Sequence, residues 1–271
     1  MGMIESMTTK PFRFGVVASS VPDLASFTDL ARQAESLGYD TLLAPDPFNG
    51  LDPFTALSAA AAVTTTLRLG TFVAVGAFRD KKQLDWQTHS LHTLTGGRFQ
   101  LGLGTGRPGA DQVAAGLGRE FGSGGDRLRE LEETLAYLKK REDRAPILLT
   151  GGGPKILDLA AREADIVSFA WYPQPTEAAA RPLVDTFRER AGDRDVELAG
   201  NLLMVGDEPK PWLKQIFGAD FGELKGSVSA VPLDAADILR RRRETLGFSY
   251  WTLNMADMVD FAPVVAELRG T

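Results

Sequence analysis

Leu94-Thr95-Gly96-Gly97-Arg98-Phe99-Gln100-Leu101-Gly102-Leu103-Gly104-Thr105-Gly106 passes through a glycine turn into a short apolar strand and leaves it on glycine again. Gly104-Thr105-Gly106-Arg107-Pro108-Gly109 matches G-x-G-x-x-G literally, but a dinucleotide-binding turn needs a helix opening directly on it and an acid about 20 residues on. Pro108 and the glycines Gly116, Gly118, Gly122, Gly124 and Gly125 put the next helix at about Asp126, too late for a Rossmann turn.

The same order of strand, loop and helix recurs outward in both directions. Eight apolar, β-branched runs are expected as strands, at residues 12–18, 39–44, 67–73, 98–103, 147–150, 166–169, 196–205 and 248–253. A helix follows Val21-Pro22-Asp23, with Leu24, Phe27, Leu30, Ala31, Ala34 and Leu37 on one stripe and Gly38 where it stops. Leu128, Leu131, Leu135 and Leu138 make a second apolar face, which Asp126 can cap. Pro154 suits the first turn of a third helix. Ala59 to Ala62 reads as a packed helix face, and Arg240 to Arg243 as a solvated helix with Asp237 pairing to Arg241. This rhythm predicts an α/β fold, a parallel eight-stranded (β/α)8 TIM barrel, as one domain over residues 1–271, with 1–10 as a disordered N-terminal segment. The stretch 206–229 is the least regular.

Composition narrows the chemistry. The chain has 271 residues, no cysteine and two histidines, so thiolate nucleophiles, zinc clusters and iron–sulfur ligation are out of reach. Its net charge of −6 lacks the basic footprint of a nucleic-acid binder. No signal-peptide pattern and no bilayer-length apolar run are found, so a soluble, cytoplasmic protein without membrane contact is expected. His89 and His92 fall on the helix after the third strand, on the outside of a barrel, and no metal site is expected.

A second glycine cluster, Gly151-Gly152-Gly153-Pro154, lies between a strand and a helix start. Glycine permits close approach, and the free N–H groups at a helix N-terminus favour a phosphate, each charge-assisted hydrogen bond contributing about 1.5–3 kcal/mol. Lys155 and Arg107 lie nearby in the proposed topology, either on a phosphate or acidic tail or solvated. One such loop reads as a tight turn; two after successive strands fall on the catalytic face of a barrel.

These motifs, in order, resemble the bacterial-luciferase-like family of flavin and deazaflavin oxidoreductases over essentially the whole chain. Ala34-Glu35-Ser36-Leu37-Gly38-Tyr39-Asp40-Thr41-Leu42, then Ala44-Pro45-Asp46, is similar to the family's first helix and second strand. Leu67-Arg68-Leu69-Gly70-Thr71 resembles its third strand and Leu94 to Gly106 its fourth. Gly151-Gly152-Gly153-Pro154 with Ala160-Ala161-Arg162-Glu163-Ala164-Asp165 resembles its fifth-strand loop and the helix after it.

The resemblance implies a luciferase-like barrel whose strand C-termini hold a planar ring, with Phe72 and Val73 against it at a position where many members carry a non-prolyl cis peptide. Gly104, Thr105 and Gly106 would approach the cofactor, Gly152 and Gly153 would donate N–H groups to its phosphate, and Asp46 would sit beside the reacting face. Asp46 is either a proton relay or a structural carboxylate binding loop N–H groups. Phe48, Phe78, Trp171 and Tyr172 either line an apolar substrate pocket or pack beneath the loops, and Arg79 either binds an anionic substrate or makes a loop salt bridge. Two departures matter: Pro47 stands where the family often has histidine, and Arg107 where deazaflavin sugar-phosphate dehydrogenases carry glutamate.

The expected activity is hydride transfer between coenzyme F420 and a small organic substrate, with the protein orienting the cofactor. The alternatives are an FMN-dependent monooxygenase served by a separate cofactor reductase, and a non-catalytic barrel that binds a phosphorylated ligand. A homodimer is implied by the resemblance.

Overall fold

The structure, a computed structural model, describes residues 10–19, 21–47, 50–213 and 224–271. Residues 1–9 of the expected N-terminal segment and the candidate Phe48 lie outside the described residues. The strands are β1 Arg13–Val17, β2 Thr41–Ala44, β3 Arg68–Thr71, β4 Ala74–Val75, β5 Phe99–Gly104, β6 Ile147–Gly151, β7 Ile166–Phe169, β8 Glu197–Leu202, β9 Met204–Val205, β10 Ala230–Val231 and β11 Phe248–Asn254. The helices that concern the site are α1 Leu24–Ser36, α2 Pro53–Val63, α3 Lys81–Leu94, α4 Ala110–Gly116, α5 Gly124–Leu138, α6 Pro154–Glu163, α7 Glu177–Ala191, α8 Ala236–Leu246 and α9 Met258–Leu268.

Sheet neighbours run β3-β2-β1-β11-β8-β7-β6-β5-β4, and β3 also pairs with β5 and closes the ring. Every pairing in it is parallel. Because β3 and β4 are halves of one barrel strand, the ring has eight members, and the fold is the expected (β/α)8 barrel. The expected strand 67–73 breaks after Thr71 at the Phe72–Val73 peptide, which is cis. The expected strand 196–205 also divides: β9 leaves the barrel to pair with β10 in a separate two-stranded sheet.

Side-chain alternation along the strands builds two cores. Phe14, Val16, Leu42, Leu69, Phe99, Leu101, Leu103, Leu149, Val167 and Leu198 point outward into the large cluster shared with the helices. Leu43, Leu148, Ile166, Ala199 and Tyr250 form a smaller cluster inside the barrel, with Val17, Phe72 and Val73 packed on it. In β11 a register shift between Phe248 and Tyr250 reverses the parity, so Tyr250 joins the inner cluster while Trp251 joins the outer one. Glycines make the room: a Cβ on Gly15 would lie 2.9 Å from the Tyr250 hydroxyl, and one on Gly70 2.7 Å from Gln100 Cγ.

At the N-terminal end of the barrel, Arg13 donates to both Glu197 oxygens, at 2.9 and 2.6 Å, and its guanidinium lies 4.1 Å from the Tyr250 ring centroid. Arg98 gathers the same end, donating to Thr95 O, Leu67 O, Ala61 O, Thr64 O and Thr64 Oγ1. These contacts stabilise the face opposite the strand ends where barrel enzymes place their sites.

Several helix boundaries differ from the sequence reading. Helix α1 is as expected, capped by Asp23 accepting from Ser26 N at 2.8 Å, with Gly38 at φ +84° beyond its end. The G-x-G-x-x-G turn, by contrast, is followed at once by α4, with Gly109 at its N-cap, so the next helix is not delayed to Asp126. The two alanines Ala110 and Ala114 gave no period long enough to reveal its seven residues. The Rossmann reading still fails, because the strand belongs to a closed barrel.

Helix α5 starts at Gly124 and its cap is Ser123. Asp126 is the third residue of a capping box rather than the cap itself, accepting from Ser123 N while its own N–H donates to Ser123 Oγ. In α8 Asp237 pairs with Arg240, not Arg241, which reaches Glu177 instead. Arg242 is buried, against the expectation of a solvated helix, and donates to Glu177 and to the carbonyls of Ser227, Val228 and Ala230. Of the alanines 59–62, Ala60 alone is fully buried.

Candidate functional site

The C-terminal ends of the strands form the barrel mouth. Alternation carries the inner face upward from the apolar cluster: Thr150 shares a face with Leu148, Ser168 with Ile166, Asn201 with Ala199, and Thr252 and Asn254 with Tyr250. The mouth is thus ringed on β6, β7, β8 and β11 by neutral hydrogen-bonding side chains. Thr252 Oγ1 donates to Asn201 Oδ1 at 3.1 Å, Asn254 Nδ2 to Ser19 Oγ at 2.9 Å, and Thr150 Oγ1 to Ser168 O at 3.0 Å. None was singled out in the sequence. The signal was present in β11, where Tyr250, Thr252 and Asn254 recur with period two in an otherwise apolar run.

Opposite this polar arc stand Phe72 and Val73, half-buried. Their seat follows from the residues around them. Thr71 Oγ1 donates to Gly102 O at 2.7 Å and accepts from Gly102 N at 2.9 Å, while Phe72 N donates to Ala44 O at 2.7 Å. Val73 lies where side chains on Gly102 and Gly104 would otherwise be: a Cβ on either would come within 3.0 Å of its methyls. The glycines of the opening stretch therefore serve the neighbouring strand. Gly106, at φ +87°, turns the chain beyond Thr105, whose carbonyl accepts from Arg127 Nε at 2.9 Å.

Asp46 follows β2 and is almost fully enclosed, its side chain 7% exposed. It accepts from Val75 N at 3.1 Å, from Arg79 Nη1 at 2.5 Å and from Arg79 Nη2 at 3.0 Å. Arg79 Nη2 also donates to Asp52 at 2.8 Å, the residue that caps α2. Burial opposes these charges, yet the two carboxylates outweigh it and hold the Arg79 guanidinium above its ordinary range. Asp52 is held below the usual carboxylate range, where burial is overcome by the Thr55 N–H and by Arg79. Of the two expectations for Arg79, the loop salt bridge is present.

The remaining candidates separate into two groups. Phe78 is buried against Ala110 and Ala114 of α4, on the β4 side. Trp171 and Tyr172 follow β7, with β5 and β6 lying between them and β4. Trp171 stacks on Phe169 at 4.6 Å, whereas Tyr172 is 69% exposed. Gln174 fixes their loop, donating to Trp171 O at 2.5 Å and accepting from Ser229 Oγ at 2.7 Å. Gln174 and the buried Arg242 were not anticipated: Gln174 accepts from the Ser229 hydroxyl 55 residues on, and Arg242 donates to the carbonyls of Ser227, Val228 and Ala230, contacts that no local pattern reveals.

Gly151, Gly152 and Gly153 lead from β6 into α6. A Cβ on Gly152 would run into the Ala170 carbonyl, and one on Gly151 into Ile156, whereas Gly153 has open space around it. Among the described residues no side chain caps α6, and Pro154 has no N–H, so the donors at this end are the N–H groups of Gly153, Lys155 and Ile156. Gly153 among them borders an open hollow of about 470 Å³ that is also lined by Gly152, Trp171, Tyr172, Pro173 and Leu183. Lys155 after β6 and Arg107 after β5 are exposed on adjacent strand ends. The cradle fits a phosphate, and the Phe72–Val73 ledge fits the flat face of a ring.

His89 and His92 lie on α3, outside the barrel, and His92 Nδ1 is 3.0 Å from Phe99 O. Among the described residues no cluster of His, Asp and Glu could hold a metal, and no helix is long and apolar enough to cross a membrane.

One mouth of a closed parallel barrel thus brings together an apolar ledge, a polar arc and the N-terminus of α6. The sequence model of the luciferase-like monooxygenase family matches residues 5–206, and the chain belongs to that family. Among curated proteins none matches the sequence. Several solved structures share the fold. A coenzyme F420 dependent tetrahydromethanopterin reductase from Methanopyrus kandleri is 16% identical, with TM-score 0.72 over 94% of this chain and 96% of that one. An F420-dependent secondary alcohol dehydrogenase is 16% identical, with TM-score 0.75 over 96% and 99%. A long-chain alkane monooxygenase is 15% identical, with TM-score 0.75 over 96% and 92%.

Proposed function

We propose that the chain is a coenzyme F420-dependent oxidoreductase that transfers a hydride between the deazaflavin and a small organic substrate, working as a homodimer. The observation that carries the reading is the Phe72–Val73 ledge, seated on the side-chain-free Gly102 and Gly104, on the same mouth as the uncapped N-terminus of α6. When bound, the deazaflavin supplies the carbon that accepts or releases the hydride. The chain's own part is to bind and orient. Phe72 and Val73 support one ring face. Thr105 and Gly106 border it, while Gly152, Gly153 and Lys155, with Arg107 beside them, take the phosphate and the acidic tail. Thr150 and Asn201, the half-buried members of the polar arc, offer neutral donors and acceptors to ring or substrate, with Ser168, Thr252 and Asn254 buried behind them, and Tyr172 borders the hollow beside the phosphate loop.

The family description favours a second reading, an FMN-dependent monooxygenase supplied with reduced flavin by a separate reductase. Titrating the protein separately with F420 and FMN, and following cofactor fluorescence, distinguishes the two. Tighter binding of F420 is expected. Tight binding of FMN alone would assign the second reading, and binding of neither would remove both in favour of a non-catalytic barrel.

A further inference from the structure

We infer that Arg79 is a positioning residue: through Asp46 it clamps the chain that carries Phe72 and Val73, and so sets the ledge on which the cofactor ring rests. The inference rests on the cofactor reading above for what the ledge holds, but the clamp itself is read from contacts within the chain.

The ledge is fixed separately on its two sides. On the N-terminal side, Thr71 is tied to Gly102 and the Phe72 N–H to Ala44 O. On the C-terminal side, Val75 pairs with Gly104 in the sheet and its N–H donates to Asp46 Oδ2 at 3.1 Å. That same oxygen accepts from Arg79 Nη1, and the other from Arg79 Nη2. Asp46 is therefore a bridge from the end of β2 to β4, and Arg79 is the counter-charge that lets a carboxylate serve as a bridge where water barely reaches it. Arg79 is placed in turn by three features: Asp52 at the cap of α2, the Phe54 ring 5.4 Å from its guanidinium carbon, and the short turn after β4 that delivers it. With two carboxylates on one guanidinium, Arg79 acts on the loops and not on an anionic substrate.

A buried carboxylate stripped of its partner is strongly unfavourable, whereas a neutral amide of the same shape needs no counter-charge and still accepts a hydrogen bond. The variants follow from that asymmetry. In cofactor-free protein, Arg79→Met should speed amide hydrogen exchange at Val75 and across residues 72–75 by about tenfold or more. Arg79→Lys should lie between it and the parent, and the double variant Arg79→Met with Asp46→Asn should recover most of the lost protection. F420 affinity should follow the same order, falling about tenfold in Arg79→Met and returning in the double variant. Should Arg79→Met fail to fold, Arg79→Lys and the double variant carry the comparison.

Unchanged exchange at Val75 in Arg79→Met would overturn the clamp. A double variant as impaired as the single one would also overturn it, since Arg79 would then matter for its bond to Asp52 and not for Asp46. Faster exchange with undiminished F420 affinity would overturn its positioning of the ledge. If the parent protein bound neither F420 nor FMN, the cofactor reading would fail, and exchange at Val75 would still decide the clamp.

Discussion

At the residue scale, glycine and arginine do work that their sequence neighbours do not announce. Gly102 lies in the stretch whose pattern suggested a cofactor loop, yet a Cβ there would collide with the Thr71 carbonyl and press on Val73. Gly102→Ala should cost about 1–3 kcal/mol in denaturant unfolding, with the m-value unchanged, because backbone cannot yield as a side chain can. A loss below about 0.5 kcal/mol would mean that the ledge moves freely. Arg98 was legible only as the first residue of the expected strand 98–103, but its guanidinium gathers carbonyls from the α2 end, the start of β3 and the α3–β5 connection. Arg98→Met, which keeps most of the stem and removes the donors, should destabilise by about 2–4 kcal/mol in the same assay. Asp46 makes the same point from the other direction: its place after the second strand was readable, but its partner Arg79 is 33 residues away in sequence.

At the element scale, helix ends decide both stability and binding. Glu35, in the last turn of α1, accepts from the N–H groups of Thr65, Thr66 and Leu67 at 2.9, 2.6 and 2.9 Å, tying the helix to the approach to β3. Partial burial raises its pKa, but these donors prevail and hold the carboxyl at about 2, against an ordinary 4.5. The folded value is the lower one, so this stabilisation is complete above the unfolded value and drains away as pH falls from about 4.5 toward 2. The stability gap between the parent and Glu35→Gln should therefore be widest near neutrality and narrow across that window. A gap independent of pH would refute the assignment.

The end of α6 makes the opposite demand, for an anion from outside. Gly152→Asp is a poor probe, since any side chain there strikes the Ala170 carbonyl, but Gly153 is open and stands at the N-cap. Gly153→Asp should cap the helix and leave stability unchanged or a few tenths of a kcal/mol higher, while weakening F420 binding at least about tenfold. If affinity held, the phosphate would lie elsewhere. These opposite movements in one variant are the mark of a helix end kept uncapped for a ligand.

At the scale of the whole molecule, the barrel was legible because its strands are short, apolar and separated by helices with clear stripes, a rhythm that survives errors of several residues at each boundary. What escaped depends on contacts distant in the chain or on patterns too short to show a period. The seven-residue α4 hides behind glycine and alanine, β9 leaves the barrel to meet β10 across an irregular stretch, and Arg242 is buried by carbonyls that come from that stretch. Of the candidate site residues, Phe72 and Val73 were named through the family resemblance and Gly151 to Gly153 through their own pattern. The polar arc of Ser168, Asn201, Thr252 and Asn254 was not, because it takes closure of the ring to bring these strand ends together. In the function proposed here one mouth of this barrel receives the cofactor, ring on the ledge and phosphate at α6. Amide hydrogen exchange with and without saturating F420 tests it most directly. Added F420 should slow exchange at residues 72–75 and 152–156 and leave residues 98–100, at the opposite end, unchanged. Protection at that opposite end, or none at the mouth, would contradict it.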